Sequence, residues 1–230
     1  MKNIVCLICA REGSVGIKNK NTILFHNRPL IEWTFKMAKQ IKKFRKIYVS
    51  TDSKKIIKIA KKNKIEVPFK RPKNLAKLDS KEIDVWKHLL NYLKKIKQYP
   101  DILVVMSVTS PLRKKNQIIY SIEKFIKDKT DALITVKESD RNPYYNMVEL
   151  DKRGLAKIVI NKTKFYRRQK APKVYSMSTI CYVVKPDFIL KTKNIFDGKV
   201  SVAKFDRESS IDIDDNFDLK LARIFFKNRK

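Results

Sequence analysis

Apolar residues recur along this chain in two rhythms. Short runs rich in β-branched residues, namely Ile4–Ile8, Lys46–Ser50, Ile102–Met106, Ala132–Val136, Ile180–Val184 and Val200–Phe205, have the length and composition of buried strands. Between them, Leu30–Gln40, Lys54–Lys62, Lys81–Lys97 and Gln117–Lys127 place apolar positions three and four residues apart, which predicts amphipathic helices. A last helix is predicted over Asn216–Phe226. Continuous apolar strands alternating with helices imply a mostly parallel sheet covered on both faces, an α/β fold. Such folds bind ligands beyond the carboxyl ends of the strands, where the strand order switches direction.

The stretch from Lys137 to Ala171 departs from this alternation. Tyr144–Leu150 and Leu155–Ile160 read as extended segments joined by Asp151-Lys152-Arg153-Gly154, with glycine where positive φ is easiest, so a hairpin is predicted. A lone hairpin is marginally stable and needs something to pack on. Residues 137–175 are therefore expected to form an inserted arm on an otherwise single domain spanning 1–230. Dimer contact is the preferred use for it and packing against its own core the alternative.

Composition narrows the class. At 230 residues and 27.1 kDa, 43% hydrophobic, the chain can bury one ordinary core. No apolar run approaches the roughly 20 residues of a spanning helix, and no signal-peptide pattern opens the chain, so a cytoplasmic protein without a membrane partner is expected. Cys6, Cys9 and Cys181 are an odd count and suggest no disulfide framework. Cys6 and Cys9 have C-x-x-C spacing, but on a strand they project to opposite faces, which favours buried thiols over a metal or redox site. The net charge of +31 suggests a nucleic-acid or membrane-surface partner. Lysine nevertheless far outnumbers arginine and is scattered over every predicted helix, which favours a solvated surface; a basic nucleic-acid-binding protein stays as the alternative from another class.

Two segments could carry chemistry. Gly13 and Gly16, two of only four glycines, follow the first strand in a loop with Arg11, Ser14, Lys18 and Lys20, where backbone N–H groups and cations could hold an anion. The loop matches neither the P-loop nor the dinucleotide fingerprint, and a plain basic turn is the competing reading. Near the other end, Asp212 and Asp214 in Ser210-Ile211-Asp212-Ile213-Asp214-Asp215 point the same way if extended and could share Mg²⁺. Alternatively Asp214 or Asp215 caps the last helix, as Thr51-Asp52-Ser53 is expected to cap Lys54–Lys62. With only His26 and His88, histidine chemistry has little material. Two carboxylates on a cation facing a basic loop fit phosphoryl or nucleotidyl transfer.

Taken in order, Ala10-Arg11-Glu12-Gly13-Ser14-Val15-Gly16-Ile17, Lys20-Asn21, Pro29-Leu30-Ile31, Val49-Ser50-Thr51-Asp52, Arg71-Pro72, Thr109-Ser110-Pro111-Leu112-Arg113, Arg168-Gln169 and Ser210-Ile211-Asp212-Ile213-Asp214 resemble the acylneuraminate cytidylyltransferases over nearly the whole chain. The resemblance implies a three-layer, mostly parallel nucleotide-diphospho-sugar transferase-like fold with a projecting hairpin arm, and a homodimer. It implies that CTP is joined to a nine-carbon 2-keto sugar acid with Mg²⁺, releasing pyrophosphate. Arg11, Gly13, Ser14, Gly16, Lys20 and Asn21 would hold the triphosphate, with Arg71 and Ser80 on the cytidine side. Asp212 and Asp214 would bind the metal and, with Arg11 and Lys20, carry catalysis. Ser107, Arg168, Gln169 and Tyr175 would meet the sugar, the Arg168 guanidinium suiting its carboxylate.

The chain also departs from that pattern. Val15 stands where many members have lysine, with Lys18 close enough to replace the charge, while Ser107-Val108 and Ser178-Thr179 differ on the sugar side. Arg141–Val148 and Pro172–Met177 look more like the branch acting on legionaminic acid. A CMP-Kdo-type synthetase is the alternative within the class, against which the Ser-Ile-Asp-Ile-Asp word and Arg168-Gln169 speak.

Overall fold

The computed structural model describes residues 2–14, 16–161 and 165–228. The chain runs through β1 (Ile4–Cys9), a small hairpin of β2 (Leu24–Phe25) and β3 (Arg28–Pro29), α1 (Leu30–Lys39), β4 (Phe44–Ser50), α2 (Lys54–Lys62) and α3 (Glu82–Lys95). It continues through β5 (Ile102–Ser107), α4 (Lys115–Asp128), β6 (Ala132–Glu138), β7 (Val148–Leu150), β8 (Ala156–Ile158), β9 (Tyr175–Val184), α5 (Pro186–Lys191), β10 (Val200–Lys204) and α6 (Asn216–Lys227). Six strands form one sheet in the order β10-β6-β9-β5-β1-β4. β1 pairs in parallel with β4 and β5, and β6 with β10, whereas β9 runs antiparallel between β5 and β6.

Alternation along the strands builds two cores. Cys6 and Ile8 join α1, α2, α4 and α6 on one face; Val5 and Leu7 join α3 and α5 on the other. This three-layer arrangement agrees with the expected α/β class. Cys6 belongs to the first core and Cys9 lies against the second, as the strand period requires. Among the described residues no helix is long and apolar enough to cross a membrane.

The order matters for function because β1 is the switch point. The chain leaves β1 for β4 on one side and returns to β5 on the other, so the connections diverge beyond Cys9 and Ser107, which are register partners.

Three features went beyond the sequence reading. β9 extends upstream to Tyr175, and its pairing with β6 slips between Ile134, opposite Tyr182, and Thr135, opposite Ser178. The resulting bulge over 179–181 is clamped by the Thr135 hydroxyl, which donates to the Ser178 and Cys181 carbonyls at 2.8 and 3.2 Å. Lys64, Lys97 and Lys129, at the ends of α2, α3 and α4, adopt left-handed φ of 53–55° where glycine is usual. Finally, a hairpin forms with Gly154 at φ 80° in its turn, its strands shorter than the predicted Tyr144–Leu150 and Leu155–Ile160, but β7 is fully exposed and Leu150 is 67% accessible. Packing on its own core, the alternative considered, does not occur for these side chains.

Candidate active site

The loop after β1 is tied down from several directions. The Asn21 amide donates to the Arg11 carbonyl at 2.9 Å, and the Glu12 N–H donates to Asp52 Oδ1 at 2.9 Å. Ser53 Oγ donates to Glu12 Oε1 at 3.2 Å. Thr51-Asp52-Ser53 was expected to cap α2. Ser53 instead precedes that helix with no side-chain capping bond, and Asp52 turns toward the loop after β1, where it accepts from the Glu12 N–H. Gly16 is needed for a reason other than anion approach: a Cβ there would collide with the Asp214 carbonyl, so glycine lets the loop and the acidic segment touch. Gly13 has open space around it, Ser14 is half-buried, and Lys18 is exposed. Val15, with the charge difference expected there, lies outside the described residues.

Contact between loop and acidic segment is completed by an ion pair, Lys20 Nζ to Asp214 Oδ1 at 2.9 Å. The capping alternative resolves onto one residue. Asp215 accepts from the Phe217 and Asp218 N–H groups and caps α6, while Asp218 accepts from the Asp214 and Asp215 N–H groups. The Asp214 carboxylate is left facing Lys20 and solvent. Asp212 is half-buried; burial raises its carboxyl above the ordinary range, the Asp214 charge adds to this, and the Thr109 and Thr179 hydroxyls and Lys20 oppose it. Its Oδ1 is buried without a partner, as is Ser210 Oγ.

Beneath these groups lies Arg113, 2% exposed. Its guanidinium donates to the carbonyls of Ser110 at 2.7 Å, Ile180 at 2.9 Å and Ser107. One cation thus staples the loop after β5 to the β9 bulge. Ser107 Oγ and Thr109 Oγ1 lie 2.7 Å apart, and Ser110 Oγ and Thr179 Oγ1 lie 2.5 Å apart. The bulge is what carries Thr179 to Asp212.

Beyond Cys9 and Ser107 opens a cavity of about 280 Å³. Its cationic and polar lining includes Arg11, whose Nη1 donates to the Lys77 carbonyl at 3.0 Å, and Asn21. Leu75, Leu78 and Val85 supply its apolar lining. Arg71 and Ser80 also line it. Arg71 is 5% exposed and donates through Nε and Nη2 to Ser50 Oγ and O at 3.0 and 2.6 Å. Ser107, expected on the sugar side, opens into this same cavity. Glu82 lines it too and was missed: as the first residue of α3 it reads as an ordinary acidic first-turn residue. Thr109 and Arg113 were singled out only as part of a family word, and Thr179, expected on the sugar side, lies with them beside Asp212.

Arg168 and Gln169 are not in that group. They line a separate cavity of about 470 Å³ at the base of the arm with Ser139, Asn142 and Pro172, and Arg168 Nη2 donates to the Ser139 carbonyl at 3.2 Å. Tyr175 meets neither cavity and instead accepts from Lys204 Nζ at 2.6 Å. A larger cavity of about 780 Å³ lies at the opposite end of β5, beside Tyr99, Ile102 and Pro186, and shares no residue with the switch point.

A basic loop bonded to an acidic segment at the switch point of a three-layer α/β sheet defines a nucleotide-handling transferase. Residues 5–230 match the cytidylyltransferase family, and the chain belongs to it; the protein is accordingly a nucleotidyltransferase. It is 36% identical over its full length to the post-translational flagellin modification protein B of Campylobacter coli, covering 97% of that protein. It is 34% identical to the CMP-N,N'-diacetyllegionaminic acid synthase of Campylobacter jejuni, over 96% of this chain and 94% of that one. The fold resembles a solved CMP:2-keto-3-deoxy-manno-octonic acid synthetase complexed with CTP, with TM-score 0.72 and 13% identity over 99% and 100% of the two chains.

Proposed function

We propose that this cytidylyltransferase joins CTP to the anomeric hydroxyl of a nonulosonic acid, of legionaminic type ahead of N-acetylneuraminic, giving the CMP-sugar and pyrophosphate. The Lys20–Asp214 pair carries this reading, because it brings a cation of the loop after β1 and a carboxylate not used for capping into one site. The legionaminic assignment is supported by the relative bearing that name, similar along almost the whole of both chains.

Arg11, Lys20 and Asn21 hold the triphosphate, with Ser14 and the loop N–H groups as further donors. Asp212 and Asp214 fit Mg²⁺: their oxygens are hard donors, one Asp212 oxygen is buried and unpartnered, and the two negative charges already strain each other. Among the described residues no third acid, histidine or cysteine joins them, so substrate oxygens would complete the shell. When bound, the cation neutralises charge on the phosphate oxygens. Lys20 stays beside the same oxygens, and Arg113 holds Thr109 and Thr179 against Asp212 so that the carboxylate does not swing away. Arg168 and Gln169 offer a forked cation and an amide to the sugar carboxylate. The exposed apolar face of the arm, with Val148, Leu150 and Leu155, supports a homodimer.

Pyrophosphate release measured for each NTP against a panel of nonulosonic acids tests the reaction. Turnover is expected with CTP alone, fastest with a legionaminic acid. Absence of CTP-dependent release across the panel rejects it, and equal release with all acids rejects the assigned sugar.

A further inference from the structure

Glu82 is the one carboxylate among the residues lining the switch-point cavity, beside Arg11, Arg71 and Lys77. An acid is an unfavourable neighbour for a polyanionic nucleotide unless it meets a part of the ligand that donates hydrogen bonds. The chemistry of the lining indicates which part that is. Phosphates belong against Arg11 and Asn21. A flat heteroaromatic ring belongs against Leu75, Leu78 and Val85, and Leu78 leaves 70% of its surface free at the rim. Glu82 lies three residues before Val85 on α3, so the two share a helix face and line the cavity together.

The side chain is held in place yet open to the cavity. Trp86 Nε1 donates to Glu82 Oε1 at 3.4 Å, and the Cys9 thiol lies against the same carboxyl. Glu82 is exposed as a residue, with its carboxyl packed against Trp86 and Cys9. That crowding raises its carboxyl above the ordinary range, against the opposing pull of the Trp86 N–H and Arg71. A carboxylate can accept about four hydrogen bonds, so acceptor capacity remains.

Building on the CTP reading, we propose that Glu82 selects the base: its carboxylate accepts a hydrogen bond from the 4-amino group of cytosine. Uracil presents a 4-oxo acceptor at the same position, which sets two acceptors against each other where cytosine makes a hydrogen bond. The ribose hydroxyls are the competing donors, and comparison with dCTP separates the 2′-hydroxyl from the base.

Titration calorimetry of CTP, UTP and dCTP against the wild-type protein, Glu82→Gln and Glu82→Ala, each with Mg²⁺ and without sugar, tests the assignment. The wild type should favour CTP over UTP. Both variants should bind CTP about tenfold more weakly or worse while UTP changes by less than about threefold, so that selectivity collapses. Circular dichroism verifies that each variant is folded. Equal losses for CTP and UTP, or a change confined to the CTP-to-dCTP ratio, overturn the role in base selection. A wild type that does not distinguish CTP from UTP overturns the nucleotide reading together with it, whereas a selective wild type with equally selective variants overturns this proposal alone.

Discussion

Asp214 and Asp215 are adjacent, identical in chemistry and assigned to different work. Asp215 satisfies two otherwise orphaned N–H groups of α6, while Asp214 faces Lys20. Asp215→Ala is therefore expected to lower stability by about 1 kcal/mol in denaturant unfolding and leave turnover nearly intact. Asp214→Asn is expected to lower kcat by about a hundredfold or more, with an unchanged unfolding midpoint. Full activity in Asp214→Asn would remove that residue from the reaction. The sequence could narrow the cap only to this pair, because both aspartates sit where a helix begins; side-chain direction separates them. Glu82 makes the same point, since its position in sequence suggests only an interaction with the helix dipole.

Among the elements, the helices and the central strands were legible because their apolar periodicity is strong. α2 spans the predicted Lys54–Lys62, whereas α3 ends at Lys95 rather than Lys97. The stop was hard to see because the left-handed residue closing it is Lys97 and not glycine. The small β2–β3 hairpin was missed for a related reason: its turn uses His26 and Asn27 at φ 43° and 67° in place of an Asn-Gly signal. The arm was legible as a hairpin, but its surroundings were not. If it meets a second copy, Val148→Lys together with Leu150→Lys should shift the protein from dimer to monomer in analytical ultracentrifugation. An unchanged mass would show that the arm does not form the interface.

On the scale of the whole molecule, the charge of +31 is distributed over the outer helices, not concentrated at the switch point. Lysines occur in or at the ends of every one of α1 to α6. Such a surface attracts polyanions without reading them. Binding to a labelled RNA, followed by fluorescence anisotropy, is expected to weaken steeply with salt, reach the micromolar range or weaker at physiological ionic strength, and survive Asp214→Asn. Salt-resistant, sequence-selective binding would revive the nucleic-acid reading that family membership displaced.

Local order was thus written in the chain: strand and helix periods, the Asp151–Gly154 turn, and the presence of a basic loop and an acidic word at opposite ends. Those properties depend on neighbours a few residues away, which is the range over which propensity and periodicity act. Assembly of the site depends on contacts between residues far apart in the chain, such as Lys20 with Asp214, 194 positions away. Gly16 against Asp214, Asp52 under Glu12, Thr179 on its bulge and Arg113 beneath them all arise where strand order brings separate loops to one edge. No local spacing encodes that edge; it exists only because packing two apolar faces of one sheet sends the chain from β1 first to β4 and then back to β5.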